Sequence, residues 1–159
     1  MIDGYLVPLV VAAAVGSGVI GGVFFAFSVM VMRPLASLPS QHGVATMQAV
    51  NVDALRPWFL GVFVGTALLS AAAVVGALVD WGDASPYVLA GGLLYIVGSF
   101  GLTAAYHVPR NEALATLEPH SAEAESHWRG YLSGWTAWNH LRAATALAAA
   151  ATLTIALHV

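Results

Sequence analysis

The sequence predicts an all-α integral membrane protein that folds as a four-helix bundle. Of its 159 residues, 59% are hydrophobic and only 8% are charged, and the mean hydropathy is +0.80. A chain of this composition has too few charged side chains to cover a surface that faces water. Four apolar segments are each long enough to cross a bilayer core, which takes about 20 helical residues. We therefore expect one membrane domain over residues 1–159.

The four predicted spans occupy about residues 5–32, 58–79, 86–106 and 134–157. The first is interpreted as a spanning helix because it lacks a positively charged leader and is longer than the apolar core of a cleavable signal. Helical patterns over residues 42–55 and 111–131 predict short helices in the first and third connections. Pro57 suits the first turn of the second span, and Pro109 predicts a bend or break.

The five arginines determine the predicted topology, because the chain contains no lysine. Arg33 and Arg56 flank the first connection, and Arg110 and Arg129 flank the third. Under the positive-inside rule both connections are cytoplasmic and both termini lie outside. We expect a bacterial inner, or cytoplasmic, membrane. The net charge of −3 and the lack of a basic cluster argue against nucleic acid as a partner.

Aromatic and polar side chains share one face where the fourth span begins. They are Trp128, Tyr131, Trp135, Trp138, Asn139, Arg142 and Thr145. A charged side chain inside a span costs about 2.5 to 3.5 kcal/mol, so Arg142 needs a partner, a cavity or access to the headgroups. Two roles remain open for Arg142: its side chain either extends to the headgroups, which is called snorkelling, or stabilises a substrate oxyanion. The aromatic rings fit either an interfacial belt or flat walls around a polycyclic guest.

Two further groups of polar residues are predicted near the cytoplasmic end. Tyr106 ends the third span, and His107, Arg110 and Asn111 follow it; these residues serve either as interface anchors or as part of a site. Gln48 and Asn51 share one helical face with apolar residues, so their amides should point inward. These amides either fasten the first connection to the bundle or orient a ligand.

The candidate catalytic residues are therefore His140, His107, Arg142 and Asn139. The candidate substrate-binding residues are Gln48, Asn51, Tyr106, Arg110, Asn111, Tyr131, Trp135 and Trp138. No metal site is predicted, because the six histidines form no known ligand signature. Metal or haem held between His107 and His140 is a minor alternative.

Four blocks of sequence, at residues 21–39, 45–51, 107–115 and 128–142, resemble the DUF1772 family, which includes fungal anthrone oxygenases. The resemblance extends over essentially the whole chain and implies a four-span membrane protein. It also implies oxidation of an anthrone by O2. An anthrone has an acidic C–H, and its enolate reacts with O2 directly, so no cofactor beyond O2 is required. His107 or His140 could take the proton, while Arg142, Asn139 and Asn51 stabilise the oxyanion.

Three functional hypotheses follow. The first is a membrane oxygenase that binds a lipophilic polycyclic aromatic or quinol-like substrate in the lipid bilayer. The alternative is a non-catalytic accessory or binding subunit of a larger membrane assembly. A transporter or channel is less favoured because no acidic residue lies within a predicted span. A homo-oligomer is compatible with each hypothesis.

Overall fold

The computed structural model of the protein describes residues 4–159 and consists, over that range, of five helices without a strand. The helices are α1 (Leu6–Ser37), α2 (Ser40–Asp53), α3 (Pro57–Val79), α4 (Ser85–Ala115) and α5 (Ala122–Ala156). The predicted all-α class is confirmed. Helix α2 is the short helix predicted in the first connection, although it begins and ends two residues earlier than expected. The helical pattern predicted over residues 111–131 does not form a separate short helix, because it is divided between the end of α4 and the start of α5.

The four long helices pack side by side as antiparallel neighbours. Helices α1 and α4 each pack against both α3 and α5. Gly91 of α4 contacts Leu153 of α5, and Gly98 contacts Thr145, so residue numbers increase along one helix as they decrease along the other. Consequently the first and third connections lie at one end of the bundle, and we call it the connection end.

Two of these helices contain π-helical turns, in which the backbone is wider than in an α-helix. One turn, Phe27–Val31, lies in α1; two more, Leu94–Gly101 and Thr103–His107, lie in α4. A bend or break was predicted at Pro109; the helix is not broken there, since α4 continues to Ala115. Proline lacks an N–H and crowds the preceding turn. Here the widened turn directly before Pro109 accommodates both effects.

Three of the described helices, α1, α3 and α4, are long and apolar enough to cross a membrane. Helix α5 is the longest of the five at 35 residues, but its first half is polar. It begins twelve residues before the predicted span, because Ser121 caps it by accepting a hydrogen bond from the Ala124 amide at 3.1 Å. Glu123 and Glu125 in its first turn complement the helix dipole.

A separate apolar cluster closes the connection end. It unites α2 with the end of α4 and the start of α5 through Val44, Met47, Leu114 and Trp128. The two connections therefore cover this end of the bundle together. This packing buries Ala124 and Trp128 at the start of α5, whereas Glu123, Glu125 and Arg129 on its other faces remain exposed.

Candidate functional site

Asn139 of α5 lies at the centre of a buried polar network that joins α5 to α1. Its Nδ2 donates to the Phe24 carbonyl oxygen at 2.7 Å and to Ser28 Oγ at 2.6 Å. Asn139 is fully buried, and Ser28 is nearly so. A buried amide without partners costs about 1 to 3 kcal/mol. These two hydrogen bonds therefore favour one register of α1 against α5.

Arg142 extends this network from α5 to α4. Its Nε donates to Asn139 Oδ1 at 2.6 Å, and its Nη1 donates to Thr103 Oγ1 at 3.2 Å. The guanidinium carbon lies 3.8 Å from the centroid of the Phe24 ring, a cation–π contact. Within residues 4–159 no carboxylate forms an ion pair with it. Arg142 thus remains a buried cation, and these two bonds use two of its five N–H groups.

His107 is enclosed between α4 and α5 at the end of a π-helical turn. Its ring meets the Trp135 ring edge-on, with the centroids 5.2 Å apart. Over the described range, neither ring nitrogen has a hydrogen-bond partner, and Ser99 Oγ, two turns earlier on α4, also has none. Buried polar groups are normally paired. This side of α4 therefore has unused hydrogen-bonding capacity beside Arg142.

A second polar group lies nearer the connection end. Asn111 Oδ1 accepts hydrogen bonds from the Tyr131 hydroxyl at 2.8 Å and from Trp135 Nε1 at 3.1 Å. Tyr131 also stacks on Trp128, with 5.6 Å between ring centroids. Burial raises the pKa of Tyr131, which precedes the predicted fourth span, so its phenol keeps the proton that it donates. The Asn51 amide adjoins this phenol from α2.

An open groove of about 740 Å³ lies outside the bundle between α1 and α5. Its polar lining includes Ser28, Arg33, Arg129 and His140, and apolar side chains such as Met32 form much of the remainder. Ser28 belongs both to this groove and to the interior network, because its hydroxyl oxygen accepts the hydrogen bond from Asn139. The groove therefore gives a bound molecule access to the edge of the Asn139–Arg142 network.

The predicted catalytic residues fall in two places. Asn139, Arg142 and His107 lie inside the bundle, whereas His140 is exposed and lines the groove. The two histidines are therefore not brought together, and their placement does not favour metal or haem between them. Over residues 4–159 no three His, Asp or Glu side chains form a group that could hold a metal ion.

The predicted substrate-binding residues also lie in more than one place. Asn51, Asn111, Tyr131 and Trp135 belong to the second polar group described above. Trp138, by contrast, is 41% exposed, and its ring centroid lies 4.9 Å from that of Tyr106. Arg110 also packs on the Tyr106 ring, with its guanidinium carbon 3.5 Å from the ring centroid. These three residues form an external stack on α4 and α5.

Gln48 fastens the first connection to the third. Its Nε2 donates to the carbonyl oxygens of Leu114 and Leu117, both at 2.9 Å. Leu114 lies in the last turn of α4 and Leu117 two residues beyond its end, and the Leu114 carbonyl also accepts from the Leu117 amide at 3.2 Å. Both amide hydrogens are thereby used, and only Gln48 Oε1 is left to meet a ligand.

Three contributors to the site were not among the predicted residues. Thr103 belongs to a polar face of α4 that helical spacing reveals, and this pattern could have identified it. Ser28 and Phe24 gave no such signal, because one small hydroxyl and one ring in an apolar span are commonplace. Only the packing of α1 on α5 shows that both contact the buried network.

The three apolar helices and the buried cationic network together define a class, an all-α protein of the integral membrane type. Comparison with known protein families assigns the chain to a narrower group than this class. The anthrone oxygenase family model matches residues 56–152, more than half of the chain, and the protein belongs to that family. No curated protein and no solved structure matches the chain. The matched region contains His107, Asn139 and Arg142, whereas Ser28 precedes it.

Proposed function

We propose that the protein is a membrane oxygenase that oxidises a lipophilic polycyclic aromatic, anthrone-like or quinol-like substrate with O2. One observation supports this most directly. The groove that contains His140 has, in Ser28, a hydroxyl bonded to the buried Asn139–Arg142 network. Membership of the anthrone oxygenase family supports the reaction type.

The groove suits a flat apolar substrate. Its volume of about 740 Å³ falls within the range of about 300 to 1,000 Å³ typical of small-molecule sites. Met32, Val29 and Leu132 supply apolar walls. Because the groove opens on the outside of the bundle, a substrate dissolved in the bilayer reaches it without crossing the protein interior.

His140 acts as the base in this proposal. It takes one proton from the acidic carbon of the anthrone, and the resulting enolate attacks O2 through that carbon to give a peroxide. The peroxide takes the proton back from His140. Loss of the second C–H proton, together with cleavage of the O–O bond, then gives the quinone and one water molecule. The carbon loses four electrons and O2 accepts them, so no other oxidant is required.

Ser28, Asn139 and Arg142 stabilise the enolate oxygen. Arg142 donates to Asn139, and Asn139 donates to Ser28 Oγ. Ser28 Oγ therefore accepts a hydrogen bond from the network, and its hydroxyl hydrogen remains free to donate to an oxyanion in the groove. Hydrogen bonds in such a chain polarise one another, so the charge of Arg142 strengthens the final donor. Donors of this kind contribute most where water is excluded.

The same proposal places the second half of α5 in the membrane. This segment packs antiparallel between α1 and α4, two helices that are themselves candidate spans. A fourth span over about residues 134–157 would complete a four-span bundle. Arg33, Arg56, Arg110 and Arg129 would then lie on the cytoplasmic side, with both termini outside.

O2 uptake by the purified full-length protein with anthrone, corrected for spontaneous oxidation, tests the reaction. We expect uptake that falls strongly in His140→Ala and in Arg142→Ala. His120→Gln, at an exposed histidine in the connection before α5, is the matched control and should retain full uptake. Full turnover in both Ala variants would overturn these assignments. An absence of uptake by the wild-type protein would favour the accessory-subunit hypothesis.

A further inference from the structure

Two arginines in the groove, Arg33 and Arg129, have no part in the proposed reaction. We infer that Arg33 and Arg129 form a subsite for an anionic group, so that the substrate is an aromatic acid anion rather than an uncharged ring system. This inference rests on the proposed function, because it concerns the same groove. It specifies the chemical class of the substrate.

The two arginines belong to different helices that border the groove, Arg33 to α1 and Arg129 to α5. Both are exposed, and neither forms an ion pair with a carboxylate within residues 4–159. No acidic side chain is among the groove-lining residues. A ligand with a negative charge would therefore meet two cations without displacing an existing partner, which favours binding of an anion.

The positions along the helices give such a ligand an orientation. Arg33 follows Ser28 by five residues on α1, and most of this interval is the π-helical turn Phe27–Val31. Arg129 precedes His140 by eleven residues, which corresponds to about 16 Å along α5. Because α1 and α5 are antiparallel, both arginines lie toward the connection end, and Ser28 and His140 lie deeper. The acid group would thus sit at the membrane border while the reactive ring lies beside Ser28.

The apolar walls make this an amphiphile site rather than a site for a small inorganic anion. Val29, Met32 and Leu132 line the groove together with the arginines. They match a flat apolar body that ends in one charged group. A carboxylate or a phenolate on an extended aromatic system has this shape and charge.

Two unreactive probes distinguish the effect of charge on binding from the effect of molecular shape. Anthraquinone-2-carboxylate and anthraquinone-2-carboxamide share the same rings and differ in charge. Their binding to the full-length protein is measured by quenching of tryptophan fluorescence in phosphatidylcholine nanodiscs. We expect the carboxylate to bind about tenfold more tightly, and Arg33→Gln or Arg129→Gln to remove that preference. Arg56→Gln should keep it, because Arg56 lies outside the groove and pairs with Asp53.

The location of the probes is tested independently. Ala137→Trp fills the groove and should block both probes, whereas Ala148→Trp makes the same change at an exposed position of α5 outside it. Equal affinity of the wild-type protein for the two probes would overturn the anion subsite and leave the proposed reaction standing. Failure of both probes to bind would overturn the groove as the substrate site.

Two further results separate the remaining explanations. Loss of the carboxylate preference when phosphatidylglycerol is added to the nanodiscs would assign the arginines to lipid headgroups and overturn the inference. An arginine-dependent preference for the carboxylate, in a protein that shows no O2 uptake with either anthrone or an anthrone carboxylate, would support the anion subsite while overturning the proposed reaction.

Discussion

Arg142 and Asn139 lie one helical turn apart on α5, and the guanidinium Nε donates to the Asn139 amide oxygen at 2.6 Å. Arginine can only donate hydrogen bonds, so this contact fixes which end of the amide faces it. The Asn139 NH2 group is left to face α1, where it meets the Phe24 carbonyl and Ser28. The Arg142–Asn139 hydrogen bond within α5 thus orients the hydrogen bonds from Asn139 to α1.

Replacing Arg142 by Gln tests whether the charge, rather than the hydrogen bond, supports the reaction. Gln retains an amide donor while removing the cation. We expect O2 uptake with anthrone to fall by about a hundredfold, with a loss of stability of about 1 to 3 kcal/mol. Uptake and thermal unfolding in detergent measure the two effects. Undiminished uptake would show that the charge of Arg142 is not required.

Removal of the Ser28 hydroxyl should affect catalysis more than folding. Ser28→Ala deletes the donor that faces the groove, and we expect uptake to fall by about a hundredfold. The loss of one hydrogen bond should cost about 1 kcal/mol of stability. Ser133→Ala is the matched control, since Ser133 also lines the groove but donates to the Gly130 carbonyl oxygen. Equal effects of the two substitutions would contradict the proposed role of Ser28.

His107 should be replaceable by an apolar residue without loss of stability. Both ring nitrogens are buried without partners in the described part of the chain, and unpaired buried groups are costly. We expect His107→Leu to raise the thermal unfolding midpoint or leave it unchanged. Asn139→Leu, which breaks three hydrogen bonds, should lower it by several degrees. A marked decrease in His107→Leu would show that the imidazole has a partner, such as a buried water.

Gly43 should tolerate no side chain. A Cβ at this position of α2 would lie 2.6 Å from Trp128 Cζ2, so either the helix or the Trp128 ring must shift. We expect Gly43→Ala to destabilise the protein by about 1 to 3 kcal/mol and to increase hydrogen exchange in α2. Gly130→Ala is the control, because a Cβ there meets no atom within 4 Å. Unchanged exchange in Gly43→Ala would indicate that α2 packs more loosely than the contact implies.

Periodicity identified the residues that share a face of one helix. Asn139, Arg142 and Trp135 belong to the polar stripe of α5, and all three are buried in the same region. Trp138 shares this stripe, but its side chain is exposed beside Tyr106 instead of buried with the other three. Helical spacing defines which residues are neighbours along one helix. How many residues on that face of the helix are buried depends on how closely the adjacent helices approach.

The all-α class, the apolar helices and the family could be predicted without the fold, because hydropathy, helical spacing and short sequence motifs are local properties of the chain. Only the packing of the helices shows that Ser28 meets Asn139, 111 residues away, and that His107 is enclosed while His140 lines the groove. These relationships depend on the relative rotation of packed helices. Widened turns such as Phe27–Val31 shift that rotation, and no local periodicity in the sequence reports it.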